Sequence, residues 1–415
     1  IVKFNVNGEF LMAWGSTGTG PGEFQDPHAL ALDSQGRLYV GDRENRRVQI
    51  FDQNGNYINH YNQFGRPSGL FIDKQDNIYV ADSESRTISN PGYRRGIWIA
   101  DHQFRTEWSH SSAPDVSLAA ISQRTSQIRL GIAVSVPPVQ HPLHIAARIA
   151  TLDIWSNGRV DLGIGRSGYP YQMAAFGVDL SNATGMVDEA LEIIPRAWTE
   201  GEFSYNGKFF NIPRREVHPK PVQTPHPPMW LGCSREETFR KAGELGMGCL
   251  AMSASGPDRI TQLVNSYRGG IEVANPIGKF IKDRVAISTL AICGENRKNI
   301  QERGSEILDW YRSQQAVRHS RVWQEQDPQN VPQDYQWHYD RSTTDTSSQD
   351  NISSLDLIKQ GRYCIGDPDD CLKFMEQYIP TGVDEIMPLF QIGTMAHKEV
   401  METLRLFGKH VIPNV

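Results

Sequence analysis

A chain of 415 residues, 39% hydrophobic and 22% charged, has the composition of a globular protein with room for more than one domain, which excludes extensive disorder. A formal net charge of −6 gives no electrostatic case for nucleic acid or an anionic membrane as partner. No apolar run approaches a bilayer span and no signal-peptide pattern is present; Ile1 opens inside a strand-like pattern, as in an N-terminally incomplete chain.

The first stretch repeats itself with an offset of 40 residues. Pro27, Leu30, Asp33, Gln35, Tyr39, Val40, Asp42, Glu44 and Arg46 recur as Pro67, Leu70, Asp73, Gln75, Tyr79, Val80, Asp82, Glu84 and Arg86. Residues 1–14 (IVKFNVNGEFLMAW) also match 48–61 (VQIFDQNGNYINHY), with Asn7-Gly8 and Asn54-Gly55 at the turns. Asn-Gly favours the positive backbone angles of a two-residue hairpin turn. Repeats of this length, built of short strands and polar turns, predict propeller blades.

PHALALD followed by GRLYVGDRENRRVQIFD resembles NHL repeats. The resemblance covers residues 1–96, including the RRG at 94–96, and implies a partial β-propeller of about two blades. A closed propeller takes about four to eight, so two bury neither outer face. Pro27-His28 is similar to the zinc-binding position of amidating-lyase propellers. The next repeat carries Pro67-Ser68, so His28 reads as a strand-end histidine and no metal is expected.

From Ile97 the pattern changes to alternating strands and helices, the signature of a parallel α/β sheet or barrel. Strands are predicted near 97–100, 128–134, 159–164, 228–232, 248–252, 284–292 and 384–390. Most are apolar throughout, as buried parallel strands are. Helices are predicted over 142–156, 184–199, 235–246, 257–273, 295–318, 367–380 and 395–411. Residues 203–212 read as a hairpin with Asn206-Gly207 at its turn. Residues 325–352, polar and rich in Gln, Asp, Ser and Thr, read as a mobile excursion. Seven strands are one short of a (β/α)8 barrel.

IWIADHQF, RTSQIRLGIAVSVPPVQHPL, ATLDIWSNGRVDLGIGRSGY, FGVDLSNATGMVDEALEI and PHPPMWLG follow one another, and GDPDDCLKFMEQYIPTGVDEIMPLFQIG and LRLFGKHVIP close the chain. In this order they resemble the bacterial luciferase-like flavin monooxygenases. The resemblance spans residues 97–415 and implies a TIM-type barrel lacking its first strand and first helix. Two domains are therefore expected: 1–96, a partial NHL propeller, and 97–415, the oxidoreductase barrel.

Chemistry in a parallel barrel sits at the C-terminal ends of its strands. Asp101-His102 closes the first apolar strand, so His102 is expected at that mouth as general base or hydrogen-bond donor, the role its counterpart has in the luciferases. Arg166 follows the strand end Gly163-Ile164-Gly165; a guanidinium there suits a phosphate, and the resemblance assigns it to the flavin phosphate. The competing reading is a salt bridge with the helix at 184–199. Ser234 with Glu237 forms a capping-box pattern, placing a helix start near Arg235. Ser234, Arg235 and Thr238 are then candidates for the other side of a phosphate clamp, although capping alone explains Ser234. Ala133-Val134 matches the position where the family places a non-prolyl cis peptide beneath the flavin ring, which the residues themselves do not announce. Tyr169 flanks ring or substrate, or is an exposed loop residue.

His141 and His144 read as helix-end histidines, since no further ligand lies nearby. Five cysteines without a C-x-x-C pair read as reduced thiols of a cytoplasmic enzyme. No G-x-G-x-x-G joins a strand to a helix, so no nicotinamide site is expected. The resemblance implies reduced FMN supplied by a separate reductase, dioxygen, and a small organic substrate. Alternatives are deazaflavin-dependent hydride transfer on the same barrel and a repeat-mediated binding protein with an idle barrel; a homodimer is left open. Without a first strand, the edges at 97–100 and 384–390 are expected to stay open.

Overall fold

Asp residues close the turns of the first unit. Asp33 Oδ1 accepts the amides of Gln35 and Arg37 at 3.0 and 2.8 Å. Asp52 and Asp73 do the same two and four residues on, at 2.8 to 2.9 Å. Each carboxylate satisfies amides that the reversing chain cannot pair, and in the β1–β2 hairpin the Asn5 amide oxygen does the same for Asn7 and Glu9 at 3.0 and 2.9 Å. Only the glycines of the Asn-Gly pairs take positive φ (Gly8 82°, Gly55 80°), so these turns are not the two-residue type expected.

The computed structural model describes residues 1–61, 64, 66–82, 96–104, 111–343 and 352–414. It divides into two compact units, Ile1–Gly96 and Ile97–Val415. The first holds β1 (Val2–Phe4), β2 (Phe10–Ala13), β3 (Ser16–Thr17), β4 (Glu23–Phe24), β5 (Pro27–Leu32), β6 (Leu38–Asp42), β7 (Arg47–Phe51), β8 (Tyr57–Tyr61), β9 (Pro67–Ile72) and β10 (Ile78–Asp82). β5–β6–β7–β8 form one four-stranded antiparallel sheet; β1–β2 and β9–β10 are antiparallel pairs. Asp42, fully buried, accepts from Arg47 Nε at 2.8 Å and Gln49 Nε2 at 3.0 Å, while the Arg47 fork reaches the carbonyls of Thr19, Gly20 and Glu23. The repeat counterparts Glu84 and Arg86, and the arginines at 94–95, lie outside the described residues.

The boundary falls after the first residue of β11 (Gly96–Ile99), and the second unit continues with α1 (Pro114–Ser122), β12 (Arg129–Ser135), α2 (Pro142–Ser156), β13 (Val160–Ile164), α3 (Pro170–Ala175) and α4 (Ala183–Thr199). β14 (Glu202–Asn206) and β15 (Asn211–Glu216) make the expected hairpin, its loop spanning 207–210 rather than turning at Asn206-Gly207. Then come β16 (Met229–Gly232), α5 (Glu236–Glu244), β17 (Gly248–Met252), α6 (Pro257–Ile271), β18 (Val285–Cys293), α7 (Arg297–Gln324), α8 (Gln336–Thr343), α9 (Ser354–Lys359), β19 (Cys364–Gly366), α10 (Pro368–Tyr378), β20 (Glu385–Leu389) and α11 (His397–Leu406). The sheet runs β11–β12–β13–β16–β17–β18, with both β19 and β20 on β18. The pairings from β12 to β20 are parallel.

This is a parallel half-barrel of seven long strands, β19 being a short addition. Among the described residues β11 has β12 as its one neighbour and β20 has β18, and no strand joins them. The interior is filled by Trp98, Trp230, Leu250, Ala286 and Met387. The two tryptophans meet edge to face at 5.4 Å. Arg159, buried, binds helix and strand ends together: its fork donates to the carbonyls of Ser122, Thr125, Ile128 and Ser156 at 2.7 to 3.0 Å.

The reading of residues 325–352 as an excursion is also overturned. Residues 325–343 are not a loose excursion, because Tyr335 is fully buried against Trp323, Val136, Met173 and Ala183. A single aromatic in a Gln/Asp-rich stretch supplies the anchor, and periodicity does not reveal it. Residues 344–351 of that stretch lie outside the described residues.

Buried His226 stacks between Trp198 and Phe280. Its Nδ1 lies 2.8 Å from the Pro227 carbonyl, and Nε2 accepts the Lys279 amide at 3.0 Å, which fixes a neutral ring protonated at Nδ1. Burial pushes its pKa down. The unfolded chain takes up a proton near pH 6.5 while the folded ring resists it, so stability is full above that pH and falls as pH drops toward the folded value. Urea midpoints should fall between about pH 7.5 and about pH 5.5. His226→Gln should start lower and fall less; an equal fall in the variant removes His226 as the cause.

Candidate active site

Three neighbouring parallel strands end side by side. β12 and β13 align Ile132 with Leu162, and β13 and β16 align Ile164 with Leu231. Ala133-Val134, Gly165-Arg166 and Gly232 to Ser234 therefore emerge at one end of the sheet. The Ala133–Val134 peptide is cis, the bond type that the resemblance implied there. Val134 fills the space beside Gly165, where a Cβ would lie 2.4 Å from its Cγ2. At Gly232 the same test finds nothing closer than 3.4 Å, and the residue is exposed. At this end the backbone of Gly232 is thus exposed and carries no side chain, which leaves room for a ring system to approach it closely.

Arg166 stands at the same end of the sheet, already engaged. Its guanidinium donates to Thr184 Oγ1 at 2.9 Å and to the Asp334 carbonyl at 2.8 Å, lies 3.8 Å from the Asp334 carboxylate, and covers the Tyr335 ring at 4.0 Å. Its partner on α4 is thus a hydroxyl rather than a carboxylate, and the ion pair comes from a segment 168 residues away in sequence. Thr184, Asp334 and Tyr335 carry no local signal that ties them to Arg166.

The helix start after β16 is shifted by one residue from expectation. Arg235, not Ser234, is the cap residue, and α5 begins at Glu236. Thr238 Oγ1 accepts the amides of Ser234 and Arg235 at 3.2 and 3.1 Å and donates to the Arg235 carbonyl at 2.7 Å. That hydroxyl is therefore spent on the cap. The first turn also carries Glu236 and Glu237, whose charge itself complements the helix dipole. No hydrogen bond joins Arg166 to this turn. The residues thus fit the ring of a flavin, whereas a phosphate has to compete with Asp334 for Arg166.

Tyr169 caps α3 at its start and packs its ring on Tyr171 at 5.7 Å. His141 caps α2, its Nδ1 accepting the Leu143 amide at 3.2 Å, and His144 lies one turn on with its ring 6.2 Å away. Among the described residues no group of three His, Cys, Asp or Glu side chains could hold a metal ion, and no helix is long and apolar enough to cross a membrane.

His102 follows β11, partly buried, with its amide donating to the Ser111 carbonyl at 2.8 Å. The more distinctive group beside it is Asp101, which sequence reasoning passed over. Its Oδ2 accepts from Gln140 Nε2 at 2.6 Å, and Gln140 accepts from Arg148, which pairs with Asp115 at 3.3 Å. Gln140 lies beyond the end of β12, so Asp101 and His102 belong to the same end of the sheet as Val134. Asp101 is 5% exposed, and its Oδ1 is buried with no hydrogen-bond partner among the described residues. Burial pushes its pKa up to about 6, against the pull of Gln140. An Asp directly after an apolar strand was the available sign.

The luciferase-like monooxygenase family matches residues 86–385, and the NHL repeat matches 24–51. The oxygenase component of a flavin-dependent trigonelline monooxygenase of Acinetobacter baylyi is 31% identical over 45% of this chain and 52% of its own length. This chain spans about half the length of the curated relatives it matches above 30% in such alignments, 54% and 52% in two cases. An F420-dependent glucose-6-phosphate dehydrogenase of Amycolatopsis mediterranei is 21% identical over 70% of this chain and 82% of its own. Among solved structures, the oxygenating constituent of 3,6-diketocamphane monooxygenase from Pseudomonas putida, in complex with FMN, superposes with a TM-score of 0.60 at 19% identity, over 77% of this chain and 89% of that one.

Asp101 makes stability depend on pH in a definite direction. The folded carboxyl keeps its proton up to about pH 6, whereas an unperturbed one releases it near 3.8. Its contribution to stability is therefore lost as pH rises through that interval and stays lost above it. Asp101→Asn should raise the unfolding free energy at about pH 8 by about 1–3 kcal/mol. The gain should vanish near pH 4, and equal effects at both pH values in urea unfolding would rule out a titrating Asp101.

Proposed function

The chain belongs to the luciferase-like monooxygenase family, and we propose that its barrel unit is an oxidoreductase that takes reduced FMN from a separate reductase and uses dioxygen to oxidise a small organic substrate. The observation that carries this reading is the exposed Gly232 at the strand ends, where a ring can approach the backbone, with the Arg166 guanidinium beside it. A bound flavin supplies the electron transfer and oxygen chemistry, and the protein supplies placement, dryness and protons.

Ala133, Val134 and Gly232 offer the surface beneath the ring, and Tyr169 its flank. Arg166, with Ser234, Arg235 and Thr238 at the start of α5, is assigned to the phosphate. Since Arg166 is held by Asp334, phosphate binding exchanges one ion pair for another and is coupled to the 328–343 segment. The buried Tyr335 ring beneath the Arg166 guanidinium anchors that segment. His102 is assigned proton transfer at its ring nitrogen. Five buried free cysteines suit a reducing compartment such as the cytoplasm.

A second reading is hydride transfer with a deazaflavin. The F420-dependent relative favours it, because that alignment covers more of both chains than the monooxygenase alignment does.

Anaerobic titration of the protein with reduced FMN and with a reduced deazaflavin separates the two readings: saturable binding of FMN alone supports the monooxygenase, and binding of the deazaflavin alone overturns it. Arg166→Ala should weaken FMN binding by about 1.5–3 kcal/mol, and unchanged affinity removes the phosphate from that site. His102→Ala should leave affinity intact and slow substrate oxidation roughly 10²–10⁴-fold. A variant that turns over at the unaltered rate ends the catalytic role of His102.

A further inference from the structure

Uncharged groups position Arg166. Its two terminal nitrogens donate to Thr184 Oγ1 at 2.9 Å and to the Asp334 carbonyl at 2.8 Å, and the Tyr335 ring lies 4.0 Å beneath the guanidinium. The Asp334 carboxylate stands 3.8 Å away, beyond hydrogen-bond range. It supplies charge to Arg166 but no geometry.

Among the described residues, Asp334 is also the one carboxylate within 4 Å of that guanidinium. Asp188, one turn along α4 from Thr184, is paired with Lys241 at 2.6 Å instead. The two partners differ in freedom: the Arg166 side chain is 20% exposed, whereas that of Asp334 is 55% exposed. Tyr335, fully buried beside it, holds the backbone at 334 in place. Replacing the carboxylate therefore leaves all three uncharged contacts standing and changes only the balance of charge at the mouth.

On the proposed reading of Arg166 as the partner of a flavin phosphate, we infer that Asp334 is a specificity-determining residue. Its charge lowers the affinity for the phosphate and leaves the affinity for the ring and its side chain as it is. A dianionic phosphate brought to Arg166 meets a carboxylate already there, so the guanidinium yields only the difference between two ion pairs. The site then separates FMN from riboflavin less than an arginine without that neighbour would. A weakened hold on the phosphate suits a flavin delivered by another protein, which has to be released after each use.

Anaerobic titration of the unmutated chain and of Asp334→Asn with reduced FMN and reduced riboflavin tests this role. The variant should bind FMN roughly 2- to 10-fold more tightly, the scale of a partly exposed ion pair. Its affinity for riboflavin should be unchanged, which also shows that the site is intact. Raising the salt from about 0.05 M to about 0.5 M should remove most of the gain, because the effect is one of charge. No gain for FMN, an equal gain for both flavins, or a gain of the same size at both salt concentrations overturns the role of Asp334 while flavin binding itself stands. An unmutated chain that binds neither flavin overturns the proposed function, and this role with it.

Discussion

Trp98 and Trp230 fill the interior of the half-barrel, and each stands over a glycine. A Cβ at Gly131 would lie 2.2 Å from the Trp98 ring, and one at Gly248 would lie 2.4 Å from the Trp230 ring. Strands β11, β12, β16 and β17 keep their spacing only because these two positions carry no side chain. Trp230 is then fixed in orientation by its Nε1, which donates to Asp161 at 3.1 Å, and Asp161 is in turn paired with Arg129. The large rings compensate for a sheet with two edges: the interior is closed by aromatic volume where a further strand would otherwise be needed to close it. Everything at the mouth is built on strand ends that this packing sets.

The same rule of large against small shapes the strand ends. Val134 is the large residue there, and Gly163 and Gly165 are the small ones: a Cβ at either would lie 3.2 or 2.4 Å from its side chain. Gly232 lacks such a filler on its open side. The charged rim is less settled. Arg166 is shared among Thr184, Asp334 and Tyr335, so its charge reaches the mouth partly neutralised, and the segment carrying Asp334 and Tyr335 is coupled to whatever Arg166 binds.

Most of this was legible where chemistry repeats locally. Strands β12, β13 and β16 to β18 and helices α2, α4 and α6 fall within one or two residues of their predicted bounds, because apolar runs and helical periodicity report burial directly. The blade pattern was legible for a similar reason, its hairpin turns being written as Asp33, Asp52 and Asp73, with Asn5 in the first, each accepting the amides two and four residues on. Contacts between distant segments were not. Nothing near residue 334 announces Arg166, and Tyr335 is a lone aromatic among Gln and Asp. The cap moved from Ser234 to Arg235 because Thr238 offers its hydroxyl to both amides, a choice between two polar neighbours that spacing alone does not decide. Asp101 was read as the residue before His102, and its burial depends on Gln140 from another loop.

Asp101 also bears on how a proton could be held at this mouth. A carboxyl with one bonded and one unbonded oxygen, shielded from water, keeps its proton to about pH 6, one residue from the histidine assigned to proton transfer. A neutral carboxyl beside the histidine holds a proton at the mouth without adding a net charge there. The Gln140–Arg148–Asp115 chain fixes the Asp101 carboxyl from α1 and α2. The orientation of this carboxyl therefore depends on helix packing rather than on a bound ligand.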